Sequence, residues 1–246
     1  MSGSRRARWI IQCSVAALLA GCATMEPPSV TLSSLRMQQS TLWEQRFLTT
    51  LRIQNPNDFD LAVEGLSFDL GLLAWWPKII RQPLLSLPRR GFINTHPSLL
   101  PYGRGKHYNF WSIVDRVPFG VSLHMVDEGV DSGDIVAQFE IPYDWEDTGA
   151  SLYRKATDAM LKLVHETYPR LRGLDFETRR QDLAAGTFHR GSELEPASSI
   201  ALDQTCVARD LLNRLRARTF PGYPACTFAD GEDVYEVRVE IKRKSR

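Results

Sequence analysis

Cysteine is scarce in this 246-residue chain, four in all, and no two of them have the spacing of a metal site. An excess of one charge is also lacking: 30 lysines and arginines face 29 acids, a net charge of +1. That balance supplies no basic field, so nucleic acid is not an expected partner. Long apolar runs are missing as well. The apolar stretch at residues 9–20 is too short to span a bilayer as a mature helix. Placed behind Arg5, Arg6 and Arg8, it has the layout of a cleaved targeting signal. The length allows one large domain or two small ones, with ample chain for a core.

What is present centres on residues 91–105, GFINTHPSLLPYGRG. Side chains two apart on a strand point to the same face, so Asn94 and His96 are expected to share one space. An amide can hold a carbonyl oxygen while an imidazole moves a proton. Taken alone, the pair equally suits a strand-capping asparagine and a core histidine. A second stretch, FGVSLHMV at residues 119–126, alternates like a strand and runs into the acidic loop DEGVDSGD at 127–134. Gly129 and Gly133 permit tight turns there, and Asp131 is the candidate to orient His96, since a carboxylate beside an imidazole favours the charged ring. By itself the loop also reads as a solvated turn or a loose cation site.

INTHPSLLP followed by RG, and then GVSLHMVDEGVDSGDI, resemble the two signature blocks of the folate-dependent formyltransferases. The resemblance runs from about residue 73 to the end. It implies an α/β fold, a doubly wound Rossmann-like domain, and transfer of a formyl group from 10-formyltetrahydrofolate to a small-molecule primary amine, with no metal. It implies Asn94, His96 and Asp131 as the catalytic trio. Trp75, Trp76, Pro77, Ile79 and Ile80, with Asp127, Gly129 and Val130, are implied as the folate pocket, and His124, Arg104 and His107 as substrate contacts. GTFHR at 186–190 resembles an element of the small-substrate members, which points to an amino sugar nucleotide as acceptor. Methionyl-tRNA is the second acceptor, and a hydrolase of the same folate shares the trio.

The N-terminal part resembles something else. Leu19-Ala20-Gly21-Cys22 is similar to a bacterial lipobox, with Cys22 as the lipidated residue and membrane attachment as its consequence. Residues 27–70, with strand patterns at 30–35, 46–53 and 61–70, resemble the first half of a LEA type 2 β-sandwich. The expected division is therefore a signal at 1–21, a partial antiparallel β-sandwich at 22–70, a catalytic domain at 71–172 and a small α+β appendage at 173–246. The catalytic domain is expected to be truncated, lacking the family's first strand–helix units and turning over poorly. A non-catalytic envelope lipoprotein, or an inactive fusion, is the rival reading. A lipidated Cys22 places the chain in the outer membrane or periplasm, whereas catalysis with a reduced folate expects the cytoplasm. Local patterns predict helices at 108–114, 148–167 and 205–218, a linker at 169–180, and a hairpin closed by Asp230-Gly231. Cys206 and Cys226 are expected as buried thiols. The oligomeric state is left open.

Overall fold

The computed structural model describes residues 26, 29–40, 45–56, 68–76 and 78–244. The chain divides into two compact units, Met1–Phe68 and Asp69–Arg246. In the first, β1 (Ser29–Ser40) and β2 (Gln45–Gln54) pair antiparallel, with Ser29 opposite Gln54. They cover the strand patterns expected at 30–35 and 46–53. The signal segment, Cys22 and most of the expected strand at 61–70 lie outside the described residues.

The second unit is α/β. Its sheet takes β3 (Gly71–Leu73), β4 (Phe92–His96), β6 (Gly120–Met125) and β7 (Ile135–Glu140) in that order. Between β4 and β6 come the two-residue β5 (Arg104–Gly105) and helix α1 (Tyr108–Asp115). β3 and β4 are parallel, while β6 runs antiparallel to both β4 and β7. The sheet is thus mixed. The loop from β6 to β7 is too short for a crossover, and strands joined that way must pair antiparallel. β4, which carries Asn94 and His96, is flanked on both sides, by β3 and by β6.

Alternation sorts β4 and β6 into two faces. Ile93, Val121 and Leu123 are wholly buried in a core with Phe110 and Ile113 of α1 and with Leu152, Ala156 and Leu163 of α2 (Gly149–Arg172). Asn94 lies opposite His124, and His96 opposite Ser122, so these four share the other face. Ser122 ties that face to the proline-bracketed loop: its hydroxyl donates to the Ser98 carbonyl (2.7 Å) and accepts the Leu100 N–H (3.1 Å).

Helix α2 starts where the sequence puts its cap. Thr148 Oγ1 accepts the Ser151 N–H (3.3 Å) and Ser151 Oγ accepts the Thr148 N–H (2.9 Å), satisfying two of the donors that a helix start leaves open. It does not stop where a linker was expected. The helix runs through Pro169 to Arg172. Proline so near the C-terminus costs one backbone bond, and Leu171, buried in the core, holds the last turn down.

The appendage is bound to the catalytic part by β8 (Phe188–His189), which pairs parallel with β5. After α3 (Leu194–Ser198), β9 (Ser199–Ile200) and α4 (Ala208–Arg218), the expected hairpin forms from β10 (Cys226–Asp230) and β11 (Asp233–Val237). β9 joins it as a parallel neighbour of β10. Both described cysteines are free, and only one is buried: Cys226 has its thiol pushed up to about 11 by burial, while Cys206 is exposed in the loop before α4. No helix among the described residues is long and apolar enough to cross a membrane.

Candidate active site

An open cavity of about 650 Å³ lies over the polar face of β4 and β6, with Asn94, His96, His124 and Asp131 among its lining residues. Asn94 is anchored first. Its Oδ1 accepts the Trp76 N–H (3.2 Å), a role only the oxygen can take, so Nδ2 is the end of the amide left for a ligand. Thr95, the next residue, accepts the Trp75 N–H on its hydroxyl (2.6 Å). The two bonds lay the Trp75–Trp76 backbone along β4 and make it a wall of the cavity.

His96 is held by the loop that follows it. Its Nε2 lies 3.0 Å from the Gly103 carbonyl, an acceptor, so that nitrogen donates and Nδ1 is the one turned to Asp131 Oδ1 at 3.6 Å. His124 mirrors the arrangement. Its Nδ1 donates to the Met125 carbonyl (2.8 Å), and its Nε2 faces the same Asp131 Oδ1, also at 3.6 Å. The other carboxylate oxygen, Oδ2, accepts the Gly105 N–H (2.9 Å). Asp131 therefore stands between two imidazoles with one oxygen anchored and one facing both rings. His124 is kept neutral near pH 7 by burial and by His96 beside it, with Asp131 pulling weakly the other way, and its Nε2 has no hydrogen-bond partner.

The glycine in this wall is required by a close approach. Gly105 has φ +89°, and a Cβ there would sit 2.2 Å from the His189 carbonyl oxygen. Only glycine lets β5 lie against β8 while offering its N–H to Asp131.

Of the residues expected at the folate pocket, Trp75, Trp76, Ile79, Ile80, Asp127, Gly129 and Val130 all line the cavity. Pro77 lies outside the described residues. Trp75 stacks on Tyr153 of α2 (5.8 Å between ring centres, 12° between planes), so the wall is a flat aromatic surface. Of the expected substrate contacts, His124 lines the cavity; Arg104 and His107 do not. Arg104 lays its guanidinium over the Phe188 ring (5.8 Å). His107 sits at φ +58° before α1, with its pKa lowered by burial and by Arg218 and Lys106.

Several lining residues carried no such expectation. Tyr108 meets His96 edge-on (5.8 Å), and burial keeps its hydroxyl protonated well above the usual tyrosine range. Lys106, Phe188, His189 and Arg190 also line the cavity. The GTFHR motif was the available signal for the last three; for Tyr108, at the start of an amphipathic helix, there was none. Among the described residues no group of three or more His, Cys, Asp or Glu side chains is arranged to hold a metal ion.

The formyl transferase family matches residues 20–168, and a second family, the N-formyltransferase dimerization C-terminal domain, matches residues 193–243. The chain belongs to the formyl transferase family. The formyl transferase match takes in β4 and β6 and also the whole N-terminal stretch, 27–70, whose pattern resembles a LEA type 2 domain. Among curated formyltransferases, the methionyl-tRNA formyltransferase of Koribacter versatilis is 32% identical over 173 residues, 70% of this chain and 54% of that protein. The dTDP-4-amino-4,6-dideoxyglucose formyltransferase of Mycobacterium bovis is 30% identical over 152 residues, 61% of this chain and 64% of that one. The chain thus spans between about half and two thirds of the length of these formyltransferases. A 4-N formyltransferase structure from Francisella tularensis superposes with a TM-score of 0.66 at 25% identity, covering 72% of each chain.

Proposed function

We propose that this protein transfers a formyl group from 10-formyltetrahydrofolate to the primary amine of an amino sugar nucleotide. The observation that carries the reading is the convergence of Asn94, His96 and Asp131 on one cavity floor, each held by a backbone partner of its own. The cavity suits the folate: Trp75, Trp76, Ile79 and Ile80 offer a flat apolar wall next to the trio. Bound there, the folate supplies the formyl group to be transferred.

Nδ2 of Asn94 donates to the formyl oxygen, where negative charge gathers as the amine attacks. Asp131 Oδ1 accepts the proton the amine loses, and His96 Nδ1 and His124 Nε2, each 3.6 Å from it, share that proton until the bond from the formyl carbon to the folate nitrogen breaks and the departing nitrogen takes it up. Those separations exceed a hydrogen bond and close when a ligand draws the groups together. His96 itself is held in register by the Gly103 carbonyl.

The acceptor class is supported by the C-terminal match at residues 193–243 and by the amino-sugar relative. The same C-terminal match supports a homodimer. The test measures formyl loss from 10-formyltetrahydrofolate with amino sugar nucleotides and with methionyl-tRNA as alternative acceptors. Turnover with the sugars and none with the tRNA is expected. Formate release without any acceptor would make the protein a hydrolase instead.

For the N-terminal stretch the reading is a lipoprotein signal, with Cys22 as the lipid-bearing residue and a partial LEA type 2 fold behind it. Arg5, Arg6, Arg8 and the Leu-Ala-Gly-Cys run support it. Mass spectrometry of the expressed protein decides: cleavage before Cys22 with a diacylglycerol adduct places it at a membrane, and an intact N-terminus refutes the signal.

A further inference from the structure

Asp131 sits at φ +50°, in the left-handed region that residues other than glycine avoid. A backbone in that region persists when its surroundings hold it there. Part of the support is internal to the loop, where Asp127 Oδ1 accepts the Gly129 N–H (3.0 Å) and the Ser132 hydroxyl (2.8 Å). The rest comes from the far side of the loop. Gln181, only 6% exposed, donates from Nε2 to the Asp131 carbonyl (3.0 Å) and to the Gly133 carbonyl (2.6 Å). One amide thus pins the backbone on both sides of Ser132.

Gln181 is brought there by the segment the sequence reads as a linker. Arg179 and Ile135 exchange both backbone hydrogen bonds (2.8 Å each), and the Arg179 guanidinium donates to Gln138 Oε1 (2.8 Å). This stitches residues 178–181 to the start of β7. Gln181 lines a separate polar pocket with Met125, Ser132 and Leu183, and is not among the residues lining the catalytic cavity.

We propose that Gln181 is a positioning residue: its two N–H groups hold Asp131 in the backbone conformation that sets its carboxylate between His96 and His124. The catalytic part of this proposal rests on Asp131 accepting the amine proton; the positioning part does not. With its own carbonyl pinned, Asp131 sends its side chain toward the Gly105 N–H, which fixes Oδ2 and leaves Oδ1 facing both rings. Released from Gln181, the residue relaxes toward an ordinary φ and carries the carboxylate out of that position.

The test uses Gln181→Met in the full chain, which keeps length and shape and removes both donors. Three neighbouring amides report separately. Gly105 N–H bonds to Asp131 Oδ2, whereas the Arg104 and Lys106 N–H groups bond to the Thr187 and His189 carbonyls. Hydrogen exchange at Gly105 is expected to speed up about tenfold or more while Arg104 and Lys106 hold their protection. Formyl transfer is expected to lose about tenfold in kcat, with KM for the folate within about twofold. Unchanged protection at Gly105, or equal acceleration of all three amides, overturns the proposal. Should the methionine variant fold poorly, Gln181→Asn keeps the amide on a shorter stem; an intermediate Gly105 acceleration with the other two amides unmoved supports the proposal, and acceleration of all three overturns it. Faster exchange at Gly105 together with full activity of Asp131→Asn would leave the positioning standing and remove the functional reading.

Discussion

Two histidine–carboxylate clusters meet the same cavity, one through His96, His124 and Asp131 and the other through His189 alone, and they are built differently. In one, Asp131 lies 3.6 Å from His96 and from His124, and the His124 Nε2 has no hydrogen-bond partner. In the other, His189 meets Glu193 through Nδ1 (2.8 Å) and Asp115 through Nε2 (2.9 Å), and its ring stacks on Trp111 at 3.7 Å with 5° between planes. The Glu193 carboxyl is held below its usual range by the Arg190 N–H and by His189. The second cluster is saturated: both ring nitrogens have a carboxylate partner within hydrogen-bond distance. The first is unsaturated, each ring nitrogen that faces Asp131 standing short of a direct bond. Imidazole and carboxylate thus make an open arrangement or a closed one according to whether their hydrogen bonds are complete.

The sharpest way to break this contrast is to remove the reactive side. Asn94→Ala or His96→Ala is expected to lower kcat about 100- to 1000-fold, as loss of one preorganised donor does, with the fold intact by circular dichroism. Asp131→Asn comes next, with a loss of about 100-fold in single-turnover formyl transfer, because an amide cannot take up the proton. If His189→Ala gave losses of the same size at unchanged stability, the two clusters would not differ in kind. The expected result is different. His189→Ala forfeits the ring stack and leaves the half-buried Asp115 unpaired, which lowers unfolding free energy by about 1–2 kcal/mol in urea and leaves kcat within a few-fold.

The smallest expected effect is on pH. Burial lowers the folded-state pKa of His124, and burial with Arg218 does the same for His107. Above the ordinary histidine value of 6.5 both states are neutral and nothing changes. Below it the unfolded chain takes up protons that the folded chain resists, so stability falls with falling pH from about 6.5 until the lowered folded values are reached. Urea midpoints between pH 7 and pH 5 should show this slope, and His124→Gln should flatten it.

The meeting of Asn94, His96, His124 and Asp131 on one cavity was legible in sequence because its parts are local. Asn94 and His96 share a face by the two-residue repeat of a strand, and Asp131 follows a strand whose alternation places His124 beside them. The saturated cluster was not legible. His189, on a strand, finds Asp115 on a helix far back in the chain, and no period or spacing encodes such a pairing; GTFHR marked the place without its role. Gln181 escaped for the same reason, lying at the end of a stretch with no apolar period. The α/β formyltransferase fold was legible in the two signature blocks, and the antiparallel pairing of β6 with β7 follows from a turn too short for a crossover. The run of α2 past Pro169 depended on Leu171, whose burial is a tertiary fact.

The β5–β8 ladder has a consequence for the order in which the protein becomes competent. Gly103 and Gly105, which hold His96 and Asp131, are themselves held by Thr187 and by the backbone at His189: the Gly103 N–H donates to Thr187 Oγ1 (2.8 Å) and the Lys106 N–H to the His189 carbonyl (3.0 Å). During synthesis the catalytic strands leave the ribosome well before those partners do. The nascent chain therefore carries His96 and Asp131 without those braces until residues 187–189 have emerged and docked.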